Sequence, residues 1–511
     1  MRPWSLGTLA VLLLVAPAPA AEPVVGNVVA DLWDAAYLEN ANQGLDKAGY
    51  FHTVVHEIRQ DGRTLYRTVL EMSLTLRRFN DTVTMRMETG NDETAEGKVV
   101  SVFMRQYLGK QQQMLLTGQV VGDQLHVKVT GQYQIDKKIR WNDKVIGLYR
   151  QQQLFKDRKL APGDRFSYLS YEAPFNTVVS VTVTARGDED VEVFQRKMRL
   201  FRVDAVPDKI EVQGGSVQLP AMSFWLDRSG QPIRTQTELP GLGKVVLYRA
   251  NREIALAPTN ARVDIGLSQA LPLNRRLPRL HAHDAIDYRI TLSHDDNPAT
   301  AFAQDGRQSV AAVRGKSVEL RVRAVRQPRA DDSAVKPGDE FLKSNYFINS
   351  ADARVRRLAE EAVGSESDPW RKAQRIERWV HSRMKSLNFT EAMATADEVA
   401  RTLEGDCSEY AMLTAAMCRA VNVPSRTAIG LVYTELQGRP VLAYHMWTEV
   451  WVRGQWLALD ATLGQGSVGA SHLKITDHSW HDVQSLTPLL PVMRVMLGKP
   501  TIEILRVMDA D

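Results

Sequence analysis

Between residues 49 and 250 the chain is a succession of short β-branched runs, and no other feature constrains its fold as strongly. Residues 50–58 (YFHTVVHEI), 64–73 (TLYRTVLEMS), 81–88 (DTVTMRME), 98–107 (KVVSVFMRQY), 125–130 (LHVKVT) and 177–185 (TVVSVTVTA) all read as strands. Polar or glycine-bearing turns such as Gln60-Asp61-Gly62 and Val121-Gly122-Asp123 separate several of them, and residues 224–250 look like two more hairpin strands. Runs of this length and spacing predict a large antiparallel sheet or sandwich. A second β segment has strands at 286–292 and 317–325.

Residues 328–340 are polar, charged and proline-bearing, the composition of a linker. Beyond them the apolar period changes from strand to helix. Val355, Leu358, Ala359 and Ala362 fall on one face of a helix over 352–363. Asp368-Pro369 opens a second helix with Ala373, Ile376, Val380 and Met384 as its stripe. Residues 426–462 return to strands, so this part is an α+β domain. The chain thus reads as multidomain, with an antiparallel β-rich N-terminal region and a C-terminal α+β domain. The expected divisions are a signal peptide at 1–20, an antiparallel β domain at 21–255, a small β segment at 256–327, the linker at 328–340, the α+β domain at 341–465 and a C-terminal extension at 466–511.

The first twenty residues set the expected compartment. Arg2 precedes an apolar stretch over 6–15 that is too short to span a bilayer, and Ala18-Pro19-Ala20 offers a small-residue cleavage site. No later run is long and apolar enough to span, so the mature chain is expected to be exported, periplasmic or extracellular, without a transmembrane segment. The 64 Lys and Arg nearly balance the 60 Asp and Glu, with no dominant basic block, which argues against a nucleic-acid partner.

An exported protein of this size could use disulfides, yet it has two cysteines, Cys407 and Cys418. On one helix they lie about 16 Å apart. A disulfide needs Cα atoms within about 7 Å. Both thiols are therefore expected to be free. Asp406 is a natural N-cap with Glu409 in the reciprocal position, which makes Cys407 the first helical residue. Unpaired backbone N–H groups and the helix dipole favour an anion there, a setting for a nucleophilic thiolate. Cys418 lies deeper on the same stripe with Ala411, Thr414 and Val421, and reads as a small buried hydrophobe. Upstream, Thr395 to Glu398 has the form of another capping box, for a short helix that Gly405 would stop.

A base is found in residues 443–462 (AYHMWTEVWVRGQWLALDAT), which read as a hairpin turned at Arg453-Gly454. With that turn, Trp451 faces Trp456 and Trp447 faces Asp460. His445 then becomes the diagonal neighbour of Asp460 on one face. A one-residue slip would put them on opposite faces. Trp447 and Trp451 read as core rather than as the lining of a channel.

Cysteine at a helix start, then histidine, then aspartate on a hairpin resembles the transglutaminase-like superfamily, with its papain-like packing of a nucleophile helix on a sheet. The matching stretches are Glu404-Gly-Asp-Cys-Ser-Glu-Tyr-Ala411, Arg419-Ala-Val-Asn-Val-Pro-Ser-Arg426, His445-Met-Trp-Thr-Glu-Val450 and Trp456-Leu-Ala-Leu-Asp460-Ala-Thr462. The resemblance covers roughly 341–465. It implies Cys407 as nucleophile, His445 as base and acid, and Asp460 as the group that orients the imidazole. The implied activity is acyl transfer or hydrolysis, through a thioester, at amide bonds of a protein or peptide substrate, either free or associated with the cell envelope. The Cys407 N–H would be one oxyanion donor, with Asn388 a candidate for the second. Two other readings stay open: a catalytically silent envelope binding or structural protein, and a lipid or peptide binder working through the β region.

No cofactor or metal is expected. His281-Ala-His283 and His478-Ser-Trp-His481 lack the further ligands of a zinc site. Asp295-Asp296-Asn297 and Asp331-Asp332 read as turns rather than calcium loops. Fingerprints of serine hydrolases and nucleotide binders are missing from the sequence.

Overall fold

The computed structural model describes residues 24–509 apart from 41, 79–80, 108–112, 131–134, 213, 261–262, 279–281, 330–333, 386–392, 482 and 484–486. The proposed signal segment, His281, Asp331-Asp332 and Asn388 therefore lie outside the described residues. Fourteen antiparallel strands form one sheet from the N-terminal half. Eight successive strands, Val24–Glu39 through Ile135–Arg140, pair each with the next. On the other side of Val24–Glu39 lie Gly243–Ala250, Pro232–Leu239, Met222–Leu226, Arg196–Pro207, Thr177–Val193 and Arg165–Glu172. The alternation that announces these strands also sets their faces. In Thr177–Val193, for example, Val179, Val181, Val183 and Ala185 are buried at every second position.

Beyond Ile135–Arg140 the chain meets the strand at the opposite end of the sheet, where the Ile146 N–H donates to the Leu169 carbonyl (3.1 Å). A helix over Leu148–Asp157 follows that contact, an element that the strand-like reading of this region missed. Its first turn is capped from the sheet. Leu148 N donates to Asn91 Oδ1 (2.8 Å), while Tyr149 N and Arg150 N donate to Glu93 at 2.9 and 2.7 Å. Two further expectations need correcting. Residues 222–250 hold three strands rather than two, and Val24–Glu39 is a sixteen-residue strand in a stretch given no assignment from sequence.

The C-terminal part is α+β. Ser425–Leu436 pairs with His472–His478 on one side and Arg439–Val452 on the other. Ala353–Val363, Pro369–Arg383 and Ala396–Thr402 pack around the helix Cys407–Ala420, which lies on the sheet. That central helix is buried on every side from Glu409 to Arg419, so no solvent-facing stripe survives there. A four-stranded sheet joins Ala285–Leu292, Gln308–Arg314 and Ser317–Arg323 to the late strand Pro500–Met508. No helix among the described residues is long and apolar enough to cross a membrane.

Candidate active site

Two reciprocal hydrogen bonds fix the start of the Cys407 helix. Asp406 Oδ1 accepts from Ser408 N (2.8 Å), and Glu409 Oε2 accepts from Asp406 N (2.8 Å). Gly405 is needed beside them. Its φ is +150°, and a Cβ there would come within 2.3 Å of Glu409 Cβ. Gly405 is not the stop of the preceding helix, which ends on Leu403 in the left-handed region (φ 53°). Thr395 is the N-cap residue of that helix, but its side chain makes no capping bond, and its hydroxyl donates to Asp397 (2.7 Å).

The hairpin turns at Arg453-Gly454, with φ of 52° and 86°, both positive as a two-residue turn of this twist requires. The register runs from Val452 opposite Gln455 to Thr448 opposite Leu459. Gln455–Leu459 covers one edge of the long strand over 448–452, and Leu271–Pro272 covers the same edge at 441–442. Between them that edge is left uncovered by either strand, and His445 lies in this interval. The Asp460 turn closes on it.

His445 Nε2 lies 2.8 Å from Asp460 Oδ2. An ionised carboxylate only accepts, so Nε2 carries the proton and Nδ1 is left for another partner. The Cys407 side chain is close enough to the same ring to act on its charge. Burial opposes a charged imidazole here, but Asp460 and then Cys407 outweigh it and hold the His445 pKa well above its ordinary value. Burial likewise opposes an ionised Asp460, yet His445 and His472 hold that carboxyl below the usual range. Its Oδ1 also accepts from Thr462 N (2.9 Å) and Leu463 N (3.3 Å). The arrangement can support a thiolate–imidazolium pair with a fixed tautomer.

Two residues join this constellation that the sequence did not single out. His472 Nε2 donates to the same Asp460 oxygen at 2.9 Å, from the strand on the far side of Ser425–Leu436. Gly430, opposite His445, allows this approach: a Cβ there would lie 1.9 Å from the Leu473 carbonyl and 2.9 Å from the Trp447 ring. Arg78, from the N-terminal sheet, forms an ion pair with Asp406. No local pattern in the sequence marks either residue. Ligand atoms of His445, Asp460 and His472 lie within 4.8 Å of one another, close enough to share a cation. Both imidazoles donate to one carboxylate oxygen, so the three side chains are joined by hydrogen bonds. His283 instead pairs with Asp509, and burial lowers His478 to about 4. Asp295 accepts from Asn297 N and from the buried Arg494, as a turn anchored by an ion pair.

Trp447 is buried at 1% exposure, with its edge on His472 (ring centroids 5.3 Å apart), and Trp451 packs on Trp456 at 5.5 Å. Trp447 is core. Cys418 is wholly buried, and burial pushes its thiol up to about 12. Cys407 is only half-buried, and the two cysteines are unpaired. Limited alkylation of the native protein at mildly acidic pH is expected to label Cys407 selectively. Equal labelling by peptide mass spectrometry would contradict this arrangement.

Residues 356–461 match the family model of the transglutaminase-like superfamily. The C-terminal domain is transglutaminase-like. Three solved structures resemble parts of the chain. One is a candidate cysteine protease from Cytophaga hutchinsonii, with 16% identity, a TM-score of 0.30, and coverage of 45% of this chain and 90% of that one. The second is a β-barrel-like protein of a domain of unknown function from Brucella abortus, with 13% identity, a TM-score of 0.32, and coverage of 44% and 98%. The periplasmic domain of TgpA from Pseudomonas aeruginosa has 14% identity, a TM-score of 0.23, and coverage of 60% and 85%. These likenesses are too remote to carry function, and the assignment of the transglutaminase-like domain rests on the family match. No curated protein matches the chain.

Proposed function

We propose that this chain is an exported enzyme that acts on amide bonds of protein or peptide substrates, with Cys407 as nucleophile, His445 as base and acid, and Asp460 as the orienting carboxylate. The observation that carries the reading is the 2.8 Å bond between His445 Nε2 and Asp460, which leaves the other ring nitrogen to the thiol. The Cys407 thiolate attacks the carbonyl carbon, and the developing oxyanion is met by the Cys407 N–H at the helix start. Collapse breaks the C–N bond, the imidazolium gives its proton to the leaving amine, and a thioester remains. Water or a primary amine then attacks the thioester carbonyl while His445 takes its proton, and the C–S bond breaks to release the Cys407 thiolate and the acid or a new amide. Export follows from the N-terminal apolar stretch and its Ala-x-Ala site.

Incubation with a glutamine-donor peptide and a labelled primary amine tests the reading. Mass spectrometry is expected to find deamidated peptide, amine-linked peptide, or both, in wild type and not in a His445→Ala variant. Product formed equally by both proteins would refute it.

A further inference from the structure

Strands Arg63–Arg78 and Asp81–Glu93 form a hairpin of the fourteen-stranded sheet, and the end of the first strand reaches the start of the Cys407 helix. There the Arg78 guanidinium pairs with Asp406 Oδ2, across 328 residues of chain. Arg77, one residue back, makes an isolated backbone β-bridge with Asp264, which caps the short helix Ile265–Ser268. Both residues at the end of this strand are therefore held by partners from other parts of the chain.

We propose that Arg78 is a positioning residue of the Cys407–His445 pair, so that the N-terminal sheet and the transglutaminase-like domain build one active site. This rests on the acyl-transfer reading above. Asp406 is 1% exposed and directly precedes Cys407. An unbalanced buried carboxylate on the residue next to Cys407 would oppose the thiolate, since a nearby like charge disfavours ionisation. The neighbouring groups do not relieve this. Ser408 supplies neutral donors to Oδ1, from its N–H at 2.8 Å and its hydroxyl at 2.7 Å. Glu409 is wholly buried, burial and then Asp406 raise its pKa, and as a carboxyl it offers Asp406 no positive charge. His445, facing the sulfur from the strand, is the thiolate's own counter-ion and is itself tied to Asp460.

Arg78 is the cation that faces Asp406, Cys407 and Glu409 together. Burial works against its charge, but the attraction of Asp406 and Cys407 prevails and its pKa is raised. It cancels the charge of the cap while leaving the capping geometry intact. The catalytic machinery is thereby incomplete without the β region.

The test measures iodoacetamide alkylation of Cys407 in the full chain from about pH 4 to 9, resolved from Cys418 by peptide mass spectrometry, alongside thermal melting. R78Q is expected to move the midpoint of the rate–pH profile upward by about one unit or more, and R78K to restore most of it. An unchanged midpoint in R78Q, whatever its melting temperature, would overturn the inference. An asparagine cap needs no counter-ion, so D406N and R78Q/D406N give the same comparison if R78Q does not fold. Arg78 also acts directly on the Cys407 sulfur, so the double variant's midpoint should still lie above that of D406N, and coincidence would overturn the inference. If wild-type Cys407 reacts no faster than Cys418 and is insensitive to His445→Ala, the acyl-transfer reading itself fails. A reactive, His445-dependent wild type with R78Q unmoved counts against Arg78 alone.

Discussion

Asp460→Asn is expected to lower turnover of the glutamine-donor peptide by on the order of 10⁴-fold while the protein stays folded. The carboxylate accepts from His445 and His472 on one oxygen and from Thr462 N and Leu463 N on the other. An amide can keep the two backbone contacts, but its NH₂ cannot accept from an imidazole and its charge is gone. His445 then loses both the bond that selects its tautomer and the anion that outweighs its burial. The stability change has a pH signature. His445 has a raised folded pKa, so its contribution is complete below its unfolded value of about 6.5 and is lost as pH rises through the folded one. Asp460 has a depressed folded pKa, so its contribution is present above about 3.9 and is lost as pH falls further. The melting-temperature gap between wild type and Asp460→Asn should therefore be widest between about pH 4 and 6.5 and narrow on the alkaline side. A gap independent of pH would mean that the pair is not ionised as described.

Cys407→Ala should have an effect on activity at least as large, on the order of 10⁴-fold or more, with almost none on stability. The sulfur heads the helix and is half-buried, so losing it should cost under about 1 kcal/mol. The caps on Asp406 and Glu409 do not involve it. Thermal melting beside the peptide assay separates the two effects. A stable variant with residual activity near wild type would place the nucleophile elsewhere.

Much of the site was legible because its parts are coded locally. Asp406 and Glu409 lie three residues apart and form the reciprocal cap that spacing implies. The two-residue turn at Arg453-Gly454 fixes the register of two alternating strands, and the register puts His445 and Asp460 on one face. The large antiparallel sheet was legible from its period-two runs for the same reason. What escaped lacks such coding. His472 and Arg78 reach the site from strands remote in sequence, and a tertiary meeting leaves no spacing to read. Local rules also failed where tertiary context prevailed. Thr395 spends its hydroxyl on Asp397, so its box does not close. Leu403 adopts the left-handed turn expected of Gly405, whose own role is to make room for Glu409. The helix Leu148–Asp157 takes its caps from Asn91 and Glu93 of the sheet, so nothing in its own sequence announces its start.

The central claim is that Cys407 carries an acyl group between donor and acceptor. Intact-protein mass spectrometry after acid quench of a reaction with the donor peptide tests it most directly. The account predicts one added acyl mass, mapped to Cys407, removed by hydroxylamine, and lost in Cys407→Ala. Turnover of the peptide with no acyl adduct on Cys407, or with an adduct that persists in Cys407→Ala, would contradict it.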